Sequence, residues 1–285
     1  MTAEQSHNIA SLGAGRVREH VAAGGTTILV PLGSCERHGN PFTPLGLDSI
    51  VALALVERAA ERSGVLHTPA FPFGYAPHHV GRAGEGNGTV TLRSSTYRDL
   101  VSDVVESLVF QGFDRVVLVT SHSFNVAAVE PVLIPLRRRT AAFVAVYGGR
   151  ESDRVTEILD SPADRLASDV EASLALALLG GRFDADDYLT RGYEIHAPEW
   201  LGPSFTKRPG TGLSIAFRGS ENITVGLEDY EFARPVSHGG PVASTASAAK
   251  GSELLDAMAD DLAAFVEEVK AVEVEVAERS LDWRD

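Results

Sequence analysis

Cysteine is nearly missing: the 285-residue chain has one, Cys35. A single thiol forms no intrachain disulfide, which removes the disulfide-stapled secreted folds and fits a reducing cytoplasm. Basic residues are also scarce, 25 Lys and Arg against 39 Asp and Glu, for a net charge of −14. A surface of that sign repels phosphate backbones and anionic headgroups, so neither nucleic acid nor membrane is expected as a partner. No apolar run approaches the roughly 20 residues that cross a bilayer. The first twenty residues lack the apolar core of a signal peptide. No repeat of fixed period and no low-complexity tract is present. The glycine-rich stretch over 81–88 lacks the Gly-Lys-Ser/Thr ending of a phosphate loop, and it reads instead as a loop beside a site.

What is present is enough apolar material, 44% of residues, to bury one sizeable core, and a single domain over 1–285 is expected. Periodicity alternates along the chain. Strands are predicted over 27–32, 65–71, 114–120 and 141–147, with an edge strand or hairpin arm over 89–92. Helices are predicted over 48–64, from Ser94 or Ser95 to 112, over 125–139 with interruptions at Pro131 and Pro135, over 164–179, and from about 244 to 278. The stretch 190–237, rich in Gly, Pro and aromatics, yields no assignment. Apolar strands separated by helices indicate an α/β fold of three layers, α/β/α, with a mostly parallel central sheet. Such sheets bind ligands beyond the C-terminal ends of their strands.

Glu36 and His38 fall at such a position, just past the strand over 27–32. Asp48 follows ten residues after His38. His122, within Thr120-Ser121-His122-Ser123-Phe124-Asn125, lies past the end of a second strand. Carboxylate and imidazole together suit Zn, Mn or Fe(II) with a position left open for water. Each residue has a plainer reading as well. Asp48 can be a helix N-cap, and His122 a hydrogen-bonded loop histidine. Glu36 can be a surface carboxylate, and Cys35 a small packing residue rather than a thiol nucleophile. His78 and His79 can face solvent or reach substrate.

Taken together, these segments resemble the creatininase family of metal-dependent amidohydrolases. Pro31, Gly33, Ser34, Glu36, His38, Gly39, Pro44 and Asp48 follow the order of the family's first motif. Pro72, Gly74 and His79, then Gly88-Thr89-Val90-Thr91-Leu92, follow the second. Residues 120–125 around His122 match Asn-Gly-His-Gly-Gly-Asn, and residues 166–173 match His-Ala-Gly-Glu-x-Glu-Thr-Ser, which puts Glu171 at the family's glutamate. A looser match places Gly239-Gly240-Pro241, Ser244-Thr245 and Gly251 at a final motif.

The resemblance implies two divalent ions per subunit, Zn, Mn or Fe(II). Glu36 and His122 hold one ion, His38 the other, Asp48 bridges, and Glu171 supplies the last ligand because Phe124 occupies the alternative position. It implies a metal-activated water that attacks a non-peptide or cyclic amide C–N bond of a small molecule. His79, Glu171 and His238 are the candidates for protonating the leaving nitrogen. Within the family the alternatives are a peptidase acting on a modified peptide precursor, a formamide deformylase, and a metal-poor binding relative. For a nucleotide substrate, Arg82, Lys207 and Arg208 are the available cations. A cytoplasmic homo-oligomer, often a hexamer, is implied, with Tyr193, Trp200 and Phe205 in an interface or lid. Four departures stand out: an extra residue between His38 and Asp48, Phe42 near the place of the loop's second histidine, Leu166 in place of the proton-handling histidine, and Ser121, Ser123 and Phe124 in place of three glycines. They argue against creatinine itself as substrate.

Overall fold

The computed structural model describes residues 6–38, 43–148, 153–161, 166–182, 192–207, 215–220, 223–236 and 245–281. After the helix α1 (Ala14–Ala22), the chain enters β1 (Thr27–Leu32), where all six residues are buried. Next comes α2 (Leu47–Ser63), stopped by Gly64 at φ 71°, a left-handed conformation that costs glycine nothing. β2 (Leu66–His67), α3 (Ser94–Phe110), β3 (Arg115–Thr120), α4 (Ser123–Thr140) and β4 (Phe143–Tyr147) continue the alternation. The four strands make one parallel sheet in the order β2-β1-β3-β4, with Leu29 opposite Val117 and Val117 opposite Ala145.

The chain continues through α5 (Asp153–Leu159) and α6 (Leu166–Leu179). Two antiparallel pairs come next, β5 (Gly192–Ile195) with β8 (Ala233–Val236) and β6 (Phe205–Lys207) with β7 (Ile215–Phe217). The short α7 (Asp229–Phe232) lies before β8, and the long α8 (Ala248–Ala271) follows it. Side chains alternate across a strand, so the sheet feeds two cores. Leu29, Val117 and Val119 meet Leu55 of α2, Leu174 of α6 and Leu254 of α8 on one face. Ile28, Val30 and Leu118 meet Val101 and Val105 of α3 and Val129 of α4 on the other. The result is the three-layer α/β/α fold. A Cβ on Gly251 would stand 1.8 Å from the Ser173 carbonyl oxygen, so α8 and α6 meet backbone to backbone.

Four elements differ from the sequence reading, each for a local reason. α4 runs unbroken through Pro131 and Pro135. The two prolines sit four residues apart on one exposed face, and the residues whose carbonyls they leave unbonded, Ala127 and Pro131, are exposed as well, so water can take up the lost bonds. β2 is only two residues long. Pro69 lacks a donor, but Thr68 N–H donates to Leu29 O and Phe71 N–H to Pro31 O, so the segment still tracks β1. Residues 89–92 form no hairpin arm. Val90 pairs with Cys35 and Thr91 with Gly74, threading this segment between two loops of the site. The last helix ends at Ala271. Arg115 donates to the Val272 carbonyl at 2.6 Å, and Arg279 binds Asp114 and the Val109 carbonyl, drawing the tail back along β3.

Candidate metal centre

Two strand ends and one helix start build the centre. Glu36 and His38 leave β1, His122 caps α4 just past β3, and Asp48 lies in the first turn of α2. All four are buried, at 4%, 4%, 3% and 2% exposure respectively. Gly33 permits the turn off β1, because a Cβ there would lie 2.0 Å from Ser49 Oγ and 2.5 Å from the Phe71 carbonyl. Fully buried Asn125 ties the loops together. Its Nδ2 donates to Gly33 O at 3.1 Å and Thr120 Oγ1 at 3.2 Å, while its Oδ1 accepts Tyr75 N–H at 3.0 Å.

Glu36, His38 and Asp48 each offer a donor atom within 4.8 Å of the other two. His122 Nδ1 lies 3.0 Å from Glu36 Oε1 and 3.8 Å from Asp48 Oδ2. On the other side, His38 Nδ1 lies 3.8 Å from Glu171 Oε2. Both oxygens of Asp48 are fixed from outside, Oδ2 by Ser34 Oγ at 2.7 Å and Oδ1 by Ser121 Oγ at 2.9 Å. His122 Nε2 faces the Tyr75 carbonyl at 3.0 Å. A carbonyl only accepts, so Nε2 carries the hydrogen and Nδ1 points into the carboxylates.

The carboxylates around the two histidines favour their charged forms. Burial opposes charging His38, yet Glu171, then Asp48 and Glu36, outweigh it and push its pKa up to about 9. Burial likewise opposes charging His122, but Glu36, Asp48 and the Tyr75 carbonyl outweigh it and move its pKa upward. Glu36 Oε2 and His38 Nε2 are buried with no hydrogen-bond partner among the described residues. Buried polar atoms are normally satisfied, and a carboxylate oxygen and a deprotonated imidazole nitrogen are each satisfied by coordinating a divalent ion. The donor set therefore fits such an ion.

The remaining sequence candidates divide. Glu171 reaches the centre, with its side chain 19% exposed. His79 reaches it too, with Nε2 3.7 Å from Glu36 Oε1. Phe124 packs its ring against His78, His122 and His79, at centroid distances of 4.1, 5.6 and 6.2 Å. Cys35 is half-buried and pairs through its backbone with Val90. Arg82 instead stacks on Tyr230, 4.6 Å from the ring centroid. Trp200 is 60% exposed and donates to Glu231 Oε1. Gly39, Phe42, Arg208, His238 and residues 239–241 lie outside the described residues, as do the side chains of Leu166, Tyr193 and Lys207.

The sequence reading missed Asp229. It is buried and accepts from His79 Nδ1 at 2.7 Å and from Arg37 Nε and Nη2 at 3.2 and 2.9 Å, all on Oδ2. Nothing local marks it, since it lies in the stretch that carries no periodic signal. The outward role of Arg37 was visible in principle: in an extended segment, the residue between two inward ligands points the other way.

Comparisons with known proteins bear on the family of the chain. The family model for creatininase, described as creatinine amidohydrolase, matches residues 11–266. A creatinine amidohydrolase of Pseudomonas putida is 33% identical over 108 residues, covering 37% of this chain and 40% of that protein. A mycofactocin precursor peptide peptidase of Mycobacterium ulcerans is 32% identical over 120 residues, covering 39% and 46%. A 3-dehydro-scyllo-inosose hydrolase of Thermotoga maritima is 30% identical over 96 residues, covering 33% and 29%. The matched stretches thus span less than half of each relative. Among solved structures, a manganese creatininase superposes with a TM-score of 0.69 at 22% identity, covering 94% of this chain and 100% of that one. A zinc–zinc creatininase variant gives 0.68 at 21% identity, covering 94% and 99%. At those identities the superpositions speak for the shared fold alone. With the family model running through nearly the whole chain, the protein belongs to the creatininase family of hydrolases.

Proposed function

We propose that this protein is a metal-dependent amidohydrolase that cleaves a non-peptide or cyclic amide C–N bond of a small molecule. The observation that carries the proposal is the pair of unpartnered buried atoms, Glu36 Oε2 and His38 Nε2, beside a doubly anchored Asp48. Glu36 and His122 would hold one divalent ion and His38 and Glu171 a second, with Asp48 between them. Zn, Mn and Fe(II) all suit this mixture of nitrogen and oxygen donors. Such ions, when bound, lower the pKa of a water toward about 7 and polarise a substrate carbonyl.

The chain's own residues then have separable tasks. Ser34 and Ser121 hold the Asp48 carboxylate in one orientation, so its lone pairs are aimed before an ion arrives. The Tyr75 carbonyl keeps His122 in the tautomer that presents Nδ1. Phe124 lines the histidines with an apolar ring, which thins the water around the reacting carbonyl. Glu171 is the most exposed of these carboxylates, and with one oxygen on the ion its other oxygen would take the proton that the attacking water gives up and pass it to the leaving nitrogen. Phe124 also fills volume where the family motif has glycine, which supports a substrate other than creatinine. A small-molecule amide as partner and a homo-oligomeric state belong to the same reading. No helix among the described residues is long and apolar enough to cross a membrane.

The test is metal analysis of protein purified without chelator, joined to a screen of small cyclic and linear amides with Zn, Mn and Fe(II) added separately. Two ions per subunit and turnover of one amide class are expected. Asp48→Asn should lose both ions and activity. Full metal content in that variant sinks the bridging role, and a wild type that takes up no ion sinks the proposal.

A further inference from the structure

We infer that His79 is a further ligand of the ion held by Glu36 and His122, and that Asp229 and Arg37 form the outer support which makes it one. The inference rests on the metal-dependent reading above and adds a ligand to it. It would make the donor set at that ion Glu36, Asp48, His122 and His79.

His79 and His122 are arranged alike. Each ring has one nitrogen bound to an outer acceptor, Asp229 Oδ2 at 2.7 Å for His79 and the Tyr75 carbonyl at 3.0 Å for His122. Each turns its other nitrogen toward the same atom, Glu36 Oε1, at 3.7 Å for His79 and 3.0 Å for His122. Two donors bound to one ion at about 2.0–2.2 Å each can be no more than about 4.4 Å apart. Both separations meet that limit, and so does the 3.8 Å from His122 Nδ1 to Asp48 Oδ2. At 3.7 Å, His79 Nε2 and Glu36 Oε1 are too far apart for a good hydrogen bond. They are well spaced for two bonds to a cation between them. The rings sit 6.3 Å apart at an interplanar angle of 56°, so they converge rather than stack.

The outer partner of His79 matches what a ligating histidine requires. A carboxylate on the far nitrogen fixes the tautomer and raises the basicity of the near one. Asp229 supplies that carboxylate while buried, and Arg37 balances its charge through two donors. Arg37 lies between Glu36 and His38 in sequence, so one ligand loop sends two side chains inward and a third outward to the support of His79. Phe124 packs edge-on to His79 at 6.2 Å and against His122 at 5.6 Å, which fixes both rings from the same side. Asn87 donates to the His79 and Val80 carbonyls at 2.9 Å, anchoring the backbone of the turn that carries His79.

The experiment is a competition titration of chelator-stripped protein with Zn²⁺ against a chromophoric chelator, for wild type, His79→Ala and Asp229→Asn. X-ray absorption then counts the imidazoles around the zinc. Wild type must bind zinc, and failure there overturns the metal-dependent reading itself. Given binding, His79→Ala should weaken the tighter of the two affinities at least about 100-fold, and Asp229→Asn, which acts only through the outer hydrogen bond, about 10–100-fold. The imidazole count should fall by one per subunit in His79→Ala. Unchanged affinity and an unchanged count in His79→Ala overturn the inference and leave the metal-dependent reading standing. Should His79→Ala not fold, Asp229→Asn carries the test, and wild-type affinity in that variant overturns the inference equally.

Discussion

Loading the centre should release protons, and the amount follows from His38. In the metal-free protein its pKa stands at about 9, because Glu171, Asp48 and Glu36 outweigh the cost of burial. At pH 7 the ring is therefore charged, and an ion must displace a proton from it. At about 1.4 kcal/mol per unit, two units cost about 3 kcal/mol of apparent binding energy. Affinity should then rise about tenfold per pH unit between 7 and 9. His122, whose pKa is also raised, adds to the release in the same direction. The assay is titration calorimetry of chelator-stripped protein with Zn²⁺ at pH 7 in two buffers of different ionisation enthalpy. At least one proton released per subunit is expected, falling by about one in His38→Gln. A binding enthalpy independent of the buffer would refute the reasoning. The same shift governs stability. A histidine with a folded pKa above its unfolded value of about 6.5 stabilises the fold fully below that value and loses the contribution as pH passes through 9. The chelated protein should therefore be easier to unfold at pH 9.5 than at pH 6, and the zinc-loaded protein should lose that difference.

Two further perturbations test the scaffold. Asn125→Ala removes three hydrogen bonds, two of them fully buried, that join the turn after β1, the loop at Tyr75 and the end of β3; denaturant unfolding should show a loss of about 2–4 kcal/mol, and a loss under about 1 kcal/mol would refute the tie. Gly251→Ala places a methyl 1.8 Å from the Ser173 carbonyl oxygen; α8 must move off α6 at a cost of at least about 1–3 kcal/mol, measured by thermal unfolding, and unchanged stability would show that the helices do not meet there.

The parts of this molecule that were legible in its sequence are those with a local cause. β1 is predicted at its observed bounds because six consecutive residues are suited to burial on both faces. α2 and α3 are bounded within two residues by Gly64 and by Ser94. Glu36, His38 and His122 were placed near one another by position alone, since residues just past adjacent parallel strands share one edge of the sheet. The unbroken α4 was not legible, because the cost of a helical proline is lower where water can take up the freed carbonyl, and exposure is a tertiary property. Asp229 was not legible either. Its partners Arg37 and His79 lie 192 and 150 residues away, and no periodicity encodes a contact of that range.

That separation has a consequence for the order in which the centre assembles. Glu36 and Asp48 are a dozen residues apart, whereas Asp229 must return across 192 to reach Arg37. Closing the longer loop costs about 2.5 kcal/mol more in chain entropy than closing the shorter. During synthesis the ligands from β1, α2 and β3 also leave the ribosome well before Asp229 does. On this reasoning the inner carboxylates and His122 are expected to come together before the Asp229 contact forms. On heating, the clasp from α7 is expected to let go before β1 and β3 part, since it closes the longer loop.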